Sequence, residues 1–114
     1  MSELTIKQAQ KDVERFLDEW SKKWRRADNH FYIFTHLSEE TGELARDIIN
    51  AELNLSTNRK PMEPSQRKEA IARIEDDLGD ILLHLLELAN AYDVDLAAAF
   101  RKAMTSNRKR FKIQ

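Results

Sequence analysis

Paired acidic side chains occur at two places in this sequence, and the acids of each pair are three residues apart. The first pair is Glu40 and Glu43, and the second is Asp77 and Asp80. Residues three apart share one face of a helix, so each pair would present its carboxylates side by side. Glu39 directly precedes the first pair. If the pairs face each other, their oxygen ligands favour Mg²⁺, Ca²⁺ or Mn²⁺, and Mg²⁺ above all where phosphates also bind.

Each acidic pair encloses a glycine, and the chain has only these two. Gly42 and Gly79 each stand directly before the second acid of their pair. Glycine inside a helix costs roughly 1 kcal/mol relative to alanine. Two such positions predict that the helices approach closely at the acids. The alternative is that these acids are solvated side chains of amphipathic helices, which often carry glutamate at such spacings.

The elements that must position the acids are predicted from the spacing of apolar residues. Apolar positions three and four apart predict helices over residues 3–24, 30–53 and 65–92, and a further helix after Asp95. Ser65 is the expected cap of the third helix, and the turn at residues 93–95 is expected to cap the fourth. Residues 54–64 contain both prolines and predict a loop.

Composition fits one all-α domain over residues 1–114, a bundle of four to five helices. An antiparallel pair of these helices is expected to carry the acids. The formal net charge of −1 gives no global field that favours nucleic acid or a membrane. The chain has no cysteine, no apolar signal core and no apolar stretch of membrane-spanning length. These features predict a cytoplasmic protein.

The third predicted helix is apolar on more than one face. Its main apolar line, the expected core seam, consists of Ile71, Ile74, Leu78, Ile81, Leu85, Leu88 and Tyr92. Leu82, Leu83 and Leu86 lie off this line. A helix that is apolar on several faces is buried on several faces, and a chain of 114 residues offers little to cover it. This pattern predicts a homodimer or homotetramer.

The two acidic motifs, taken with their neighbours, resemble a known family. Residues 39–44 read EETGEL and residues 77–82 read DLGDIL. They are similar to the EExxE…ExxD signature of the all-α nucleoside triphosphate pyrophosphatases, which include MazG-like proteins, dimeric dUTPases and phosphoribosyl-ATP pyrophosphatases. The ending NRKRF at residues 107–111 resembles the family's basic ending. By length, the small single-domain MazG-like group fits best. Asp77 is a departure, because the family has glutamate there.

The resemblance implies Mg²⁺-dependent hydrolysis of a ribo- or deoxyribonucleoside triphosphate to the monophosphate and pyrophosphate, by an oligomer, with Mn²⁺ as a possible substitute. It implies metal ligation by Glu40, Glu43, Asp77 and Asp80. Glu39 would be an additional ligand or, with Glu40, would serve catalysis by orienting or activating water. Substrate-binding residues would be Lys102, Asn107 and Arg110 for the phosphates and Trp24 for the base.

Other functions compete with this one. A phosphoribosyl-ATP pyrophosphatase-like enzyme is one alternative. The position of His84 favours it, but this chain has no basic residue immediately before Glu39, which speaks against it. A non-enzymatic helical oligomer with a regulatory role would have no need of the basic ending. A di-iron carboxylate bundle fits poorly, because its Glu-x-x-His pairs are missing.

Overall fold

The structure is a computed structural model, and it describes residues 3–23, 30–53 and 62–114. Within these ranges the chain forms four helices: α1 (Ile6–Lys23), α2 (His30–Leu53), α3 (Pro64–Ala91) and α4 (Leu96–Arg110). No strand occurs in the same ranges, so the predicted all-α class is confirmed. Among these helices, none combines the length and the apolar character needed to cross a bilayer.

Helix α1 begins three residues later than expected because a capping box fixes its start. The Thr5 hydroxyl accepts a hydrogen bond from the Gln8 backbone N–H (3.1 Å), and the Gln8 side chain accepts one from the Thr5 N–H (2.9 Å). Each side chain satisfies a donor that has no partner within the helix. The Thr-x-x-Gln spacing therefore indicates the start of α1 better than the spacing of its apolar residues does.

The start of α3 corrects another expectation, that Ser65 is its cap. The Glu63 N–H donates to the Gln66 side-chain oxygen (2.9 Å), which places the cap at Glu63. Pro64 is the first helical residue, a position where the missing N–H costs nothing. The cap of α4 is as predicted, since the Asp95 side chain accepts from the Ala98 N–H (3.1 Å).

The chain divides into two compact units. One holds the described residues up to His30 together with those from Leu86 onward, and it is organised by Gln10 of α1. The Gln10 side-chain amide donates to the Asn90 side-chain oxygen (3.0 Å) and to the Val94 carbonyl (2.9 Å). The Gln10 side-chain oxygen accepts from the Leu96 N–H (3.1 Å), and the Asn90 amide donates back to the Gln10 carbonyl (2.8 Å). One glutamine thus ties the end of α3, the following turn and the start of α4 to α1.

The second unit, Phe31–Leu85, contains most of α2 and α3, and these two helices run antiparallel. Contacts between them include Arg67 with Glu52 (3.9 Å), Arg73 with Asp47 (3.7 Å) and His84 with His36 (5.8 Å between ring centroids). Residue numbers fall along α2 as they rise along α3. The predicted antiparallel pair is therefore confirmed.

The apolar face of α3 differs from the expected one. Leu86 was expected on an exposed face but is buried within the chain, with 4% of its surface accessible. Leu82 is exposed as expected, and so are Ile71, Leu78 and Leu85, which were expected to form the core seam. The described residues therefore leave at least 40% of the surface of Ile71, Leu78 and Leu85 accessible.

Candidate metal centre

The structure brings together three of the four predicted ligands. Glu40 and Glu43 of α2 and Asp77 of α3 each contribute one carboxylate oxygen to a group in which all these atoms lie within 4.8 Å of one another. Asp77 is buried, Glu40 is half-buried and Glu43 is exposed. Asp80 lies outside this group of three, but its negative charge is close enough to act on Glu40. The antiparallel arrangement of α2 and α3 therefore sets acids from two distant motifs against each other.

Two oxygen atoms of this group lack a partner. Glu40 Oε2 and Asp77 Oδ2 are buried and accept no hydrogen bond from any residue in the described ranges. A buried polar atom without a partner costs roughly 1–3 kcal/mol, and more when it is charged. Carboxyl groups can hydrogen-bond to each other only when one of them holds a proton. These two oxygens are open to a further partner, and the all-oxygen chemistry of the group fits a hard divalent cation.

The surroundings of Asp77 and Glu40 disfavour their charged forms. A hydrogen bond with Asp47, followed by burial and by the charges of Asp47, Glu43 and Glu40, raises the pKa of Asp77 to about 6. Burial, followed by the charges of Glu43 and Asp80, raises the pKa of Glu40. A bound cation would reverse this effect by stabilising the carboxylates.

The remaining predicted site residues are placed as follows. Glu39 is exposed beside the group, and its charge contributes to the raised pKa of Glu40. Lys102, Asn107 and Arg110 lie on α4 in the other compact unit and are exposed. The Asn107 amide donates to the Ala103 carbonyl (2.8 Å). Trp24 lies outside the described residues. The roles of these four in substrate binding stay predictions.

The expected reason for the motif glycines is wrong as far as the described residues are concerned. A Cβ atom added at Gly42 or at Gly79 would meet none of their atoms within 4 Å. Both positions are exposed. Each glycine comes two residues after the first acid of its pair and one before the second. At 100° per residue, it lies about 200° and about 100° around the helix from them, on a different face. Close approach of α2 to α3 therefore does not require them.

Two charged residues at the site were not among the predicted ligands. Asp47 continues the acidic line of Glu40 and Glu43 in the sequence, as expected; in the structure it pairs with Arg73 (3.7 Å) and contributes to the raised pKa of Asp77. Glu43, Arg46 and Asp47 line a surface depression of about 200 Å³. Arg46 thus supplies a cation beside the acids.

A cluster of rings lies one helical turn beyond the acids. His36 follows Tyr32 by one turn on α2, with ring centroids 4.5 Å apart, and it stacks on His84 of α3. His36 and His84 are spaced four residues from Glu40 and Asp80. The sequence alone gave no signal for His36, because its partners come from a turn away and from the other helix.

Comparison with known proteins is consistent with this geometry. An uncharacterized protein of Bacillus subtilis (strain 168), YpjD, is 29% identical over 104 residues, which are 91% of this chain and 84% of that protein. The MazG nucleotide pyrophosphohydrolase domain family matches residues 28–112, a range that includes α2, α3, α4 and both acidic motifs. Because this match spans well over half of the sequence, the chain belongs to the MazG nucleotide pyrophosphohydrolase domain family.

Proposed function

We propose that this protein is a Mg²⁺-dependent nucleoside triphosphate pyrophosphohydrolase that releases a nucleoside monophosphate and pyrophosphate. The observation that carries the proposal is the convergence of Glu40, Glu43 and Asp77, with one oxygen of each within 4.8 Å of the others. The two buried oxygens without a partner, on Glu40 and Asp77, support a cation at this place. The family description supports the reaction class.

Each acidic residue has a distinct part in the proposal. Glu40, Glu43, Asp77 and Asp80 hold the cation, and the charge of Asp80 on Glu40 is consistent with its place at the edge of the group. A divalent cation bound there supplies charge neutralisation and polarises phosphate oxygens. Glu39 and Glu40 orient the attacking water and accept its proton. The bond that breaks joins the α-phosphate to the oxygen bridging to the β-phosphate, so pyrophosphate leaves as one unit.

The proposal includes an oligomer, a homodimer or homotetramer, in the cytoplasm. An exposed apolar edge on the unit formed by α2 and α3 supports association; it includes Phe34, Ile48, Ile71, Leu78, Leu82 and Leu85. Exposed apolar patches of this kind on small domains mark interaction surfaces. The cysteine-free sequence is compatible with a reducing compartment.

The experiment that tests this function is a product analysis. The purified protein is incubated with Mg²⁺ and each of the common ribo- and deoxyribonucleoside triphosphates, and with phosphoribosyl-ATP as an alternative substrate. Monophosphate, diphosphate, pyrophosphate and orthophosphate are separated and quantified. We expect monophosphate and pyrophosphate in equal amounts from at least one nucleoside triphosphate. Orthophosphate release that leaves a diphosphate, or turnover of phosphoribosyl-ATP alone, would contradict the proposal.

A further inference from the structure

Helices α2 and α3 carry aromatic rings at one end of the acidic group. Tyr32 and His36 of α2 lie there with ring centroids 4.5 Å apart, and His36 stacks on His84 of α3 (5.8 Å). In the unit formed by α2 and α3, residues 31–38 and 81–85 include no lysine or arginine. From the described residues of this unit, the ring end therefore presents aromatic side chains and no lysine or arginine.

The opposite end of the acidic group carries the described arginines of this unit, Arg46, Arg67 and Arg73. Arg67 and Arg73 each pair with an acid of α2. Among the residues that the structure describes, Arg46 has no ion pair or hydrogen bond through its side chain. With Glu43 and Asp47 it lines the depression of about 200 Å³. At this arginine end, Arg46 is therefore the guanidinium left for a bound anion.

The two ends are spaced along α2 as the two ends of a nucleoside triphosphate require. His36 and Arg46 are ten residues apart, about 15 Å along the helix axis, and Glu40 and Glu43 lie between them. The substrate has an aromatic base at one end and anionic phosphates at the other. Bases stack on aromatic side chains, and arginine binds phosphate through charge-assisted, often bidentate hydrogen bonds. The substrate therefore matches the two ends in one direction only.

We propose that Arg46 binds the β- and γ-phosphates of the substrate, so that the nucleoside lies at the ring end. The inference rests on the proposed function and gives it a direction of binding and a further phosphate-binding residue, beside those predicted on α4. When the bond between the α-phosphorus and the bridging oxygen breaks, negative charge grows on the leaving pyrophosphate, and Arg46 stabilises that charge. The reverse direction would leave the phosphates without a lysine or arginine from the described residues of α2 and α3.

The test compares the two products as ligands of the intact protein, by calorimetry in the presence of Mg²⁺. The probes are inorganic pyrophosphate and the common ribo- and deoxyribonucleoside monophosphates. We expect Arg46→Gln to raise the dissociation constant of pyrophosphate about 10-fold or more and to leave that of the monophosphates near the wild-type value. We expect His36→Ala to leave pyrophosphate binding unchanged and to weaken the best-bound monophosphate about 5-fold or more.

Arg73→Gln is the matched control, because it removes the same charge one helical turn from Asp77. Arg73 already pairs with Asp47, so its loss should change pyrophosphate binding by less than about 3-fold. An effect of charge alone would instead be similar in Arg46→Gln and Arg73→Gln. Arg46→Lys keeps the charge but replaces the planar fork with a point charge, so it should restore pyrophosphate binding only in part. Arg46 is exposed, and circular dichroism should show unchanged helical content in its variants.

The outcomes separate this inference from the proposed function. Wild-type pyrophosphate binding by Arg46→Gln, or equal losses in Arg46→Gln and Arg73→Gln, would overturn the role of Arg46. Weaker monophosphate binding by Arg46→Gln with pyrophosphate binding unchanged would indicate the reverse direction and overturn the inference, and so would a wild type that binds neither product. A protein that shows the expected pattern of binding but hydrolyses no nucleoside triphosphate would overturn the proposed function alone.

Discussion

Asp77 is the acid of the site on which burial and neighbouring negative charges act most strongly. It is 7% exposed, and three other acids, Asp47, Glu43 and Glu40, act on it. A carboxyl group in such surroundings is stable when protonated or when it faces a cation. Asp77 therefore responds both to a change of pH and to a bound cation, and these two responses can be measured separately.

Acidification should stabilise the metal-free protein through Asp77. The pKa of Asp77 is raised from 3.8 to about 6 in the folded chain, so the folded state binds this proton more tightly than the unfolded state. Above pH 6, the ionised Asp77 lowers the free energy of unfolding. This cost shrinks as the pH falls, and it is absent below pH 3.8, where Asp77 is protonated in both the folded and the unfolded state. The melting temperature of the wild type, relative to that of Asp77→Asn, should rise between pH 7.5 and pH 4.5. Identical pH dependence in the two proteins would contradict the raised pKa.

The acids of the site could be predicted from the sequence because their spacing along one helix carries the information. Glu40 and Glu43 share a face whatever α2 packs against, and so do Asp77 and Asp80. Asp47 continues the same acidic line in the sequence, but its pairing with Arg73 could not be predicted, and His36 gave no signal, because the partners Arg73 and His84 belong to the other helix. The register between α2 and α3 decides such contacts. Helical periodicity leaves this register open by a turn in either direction.

At the scale of the helices, substitutions at Gly42 and Gly79 test whether another molecule packs against α2 or α3 at these positions. Each occupies an exposed helical position with open space around it. A helix interior in these surroundings favours alanine over glycine by roughly 0.5–1 kcal/mol.

Gly42→Ala should therefore stabilise the protein by about 0.5–1 kcal/mol, because a methyl group there clashes with nothing and restricts the unfolded chain. Urea unfolding followed by circular dichroism measures the change. A clear loss of stability would contradict the open surroundings of Gly42 and would mean that another molecule packs against this position.

Gln10 should carry much of the stability of the unit formed by α1, α4 and the end of α3. Its side chain makes three hydrogen bonds, to Asn90, Val94 and Leu96. Removing them leaves partly buried groups without partners, so Gln10→Ala should cost about 1–3 kcal/mol. Lys11→Ala, at the exposed neighbouring position, should stay within about 0.5 kcal/mol. Equal unfolding midpoints in urea for these two variants would refute the role of Gln10.

The helix types and the bounds of α2 follow from apolar periodicity, whereas the role of Gln10 does not. A polar residue near the start of an amphipathic helix gives no sign that it bonds to residues 80 positions or more away. The start of α1 was marked by Thr5 and Gln8, since a capping box is local in sequence. Local signals fix where a helix begins, and long-range hydrogen bonds fix how it is held.

At the scale of the whole molecule, the described residues expose many large apolar side chains. Leu78 and Leu82 of α3 are 53% and 51% exposed, and they belong to the apolar edge proposed as the site of association. The sequence predicted association, but it placed Leu86 on the surface, where the structure buries it. A charge at Leu86 would therefore test the core and not an interface.

Glutamate at both Leu78 and Leu82 should convert an oligomer into a monomer without unfolding it, because charges desolvated at an apolar interface oppose association. Light scattering coupled to size exclusion measures the mass, and Lys68→Glu controls for an added acid at an exposed polar position of the same helix. A wild-type mass of 13.4 kDa at working concentration would contradict the oligomer. A double variant that keeps the mass of the wild-type oligomer would contradict the proposed edge.

The most direct test of the central claim, that the acids of α2 and α3 form a catalytic metal site, is the rate of monophosphate formation by Glu43→Gln. The reaction contains Mg²⁺ and the best substrate of the wild type. Glutamine keeps the size of the side chain and removes its charge, so the rate should fall about 100-fold or more, the scale on which one transition-state charge contact acts. Glu52→Gln, an exposed acid on the same helix paired with Arg67, should retain the wild-type rate. Wild-type turnover by Glu43→Gln would contradict the account.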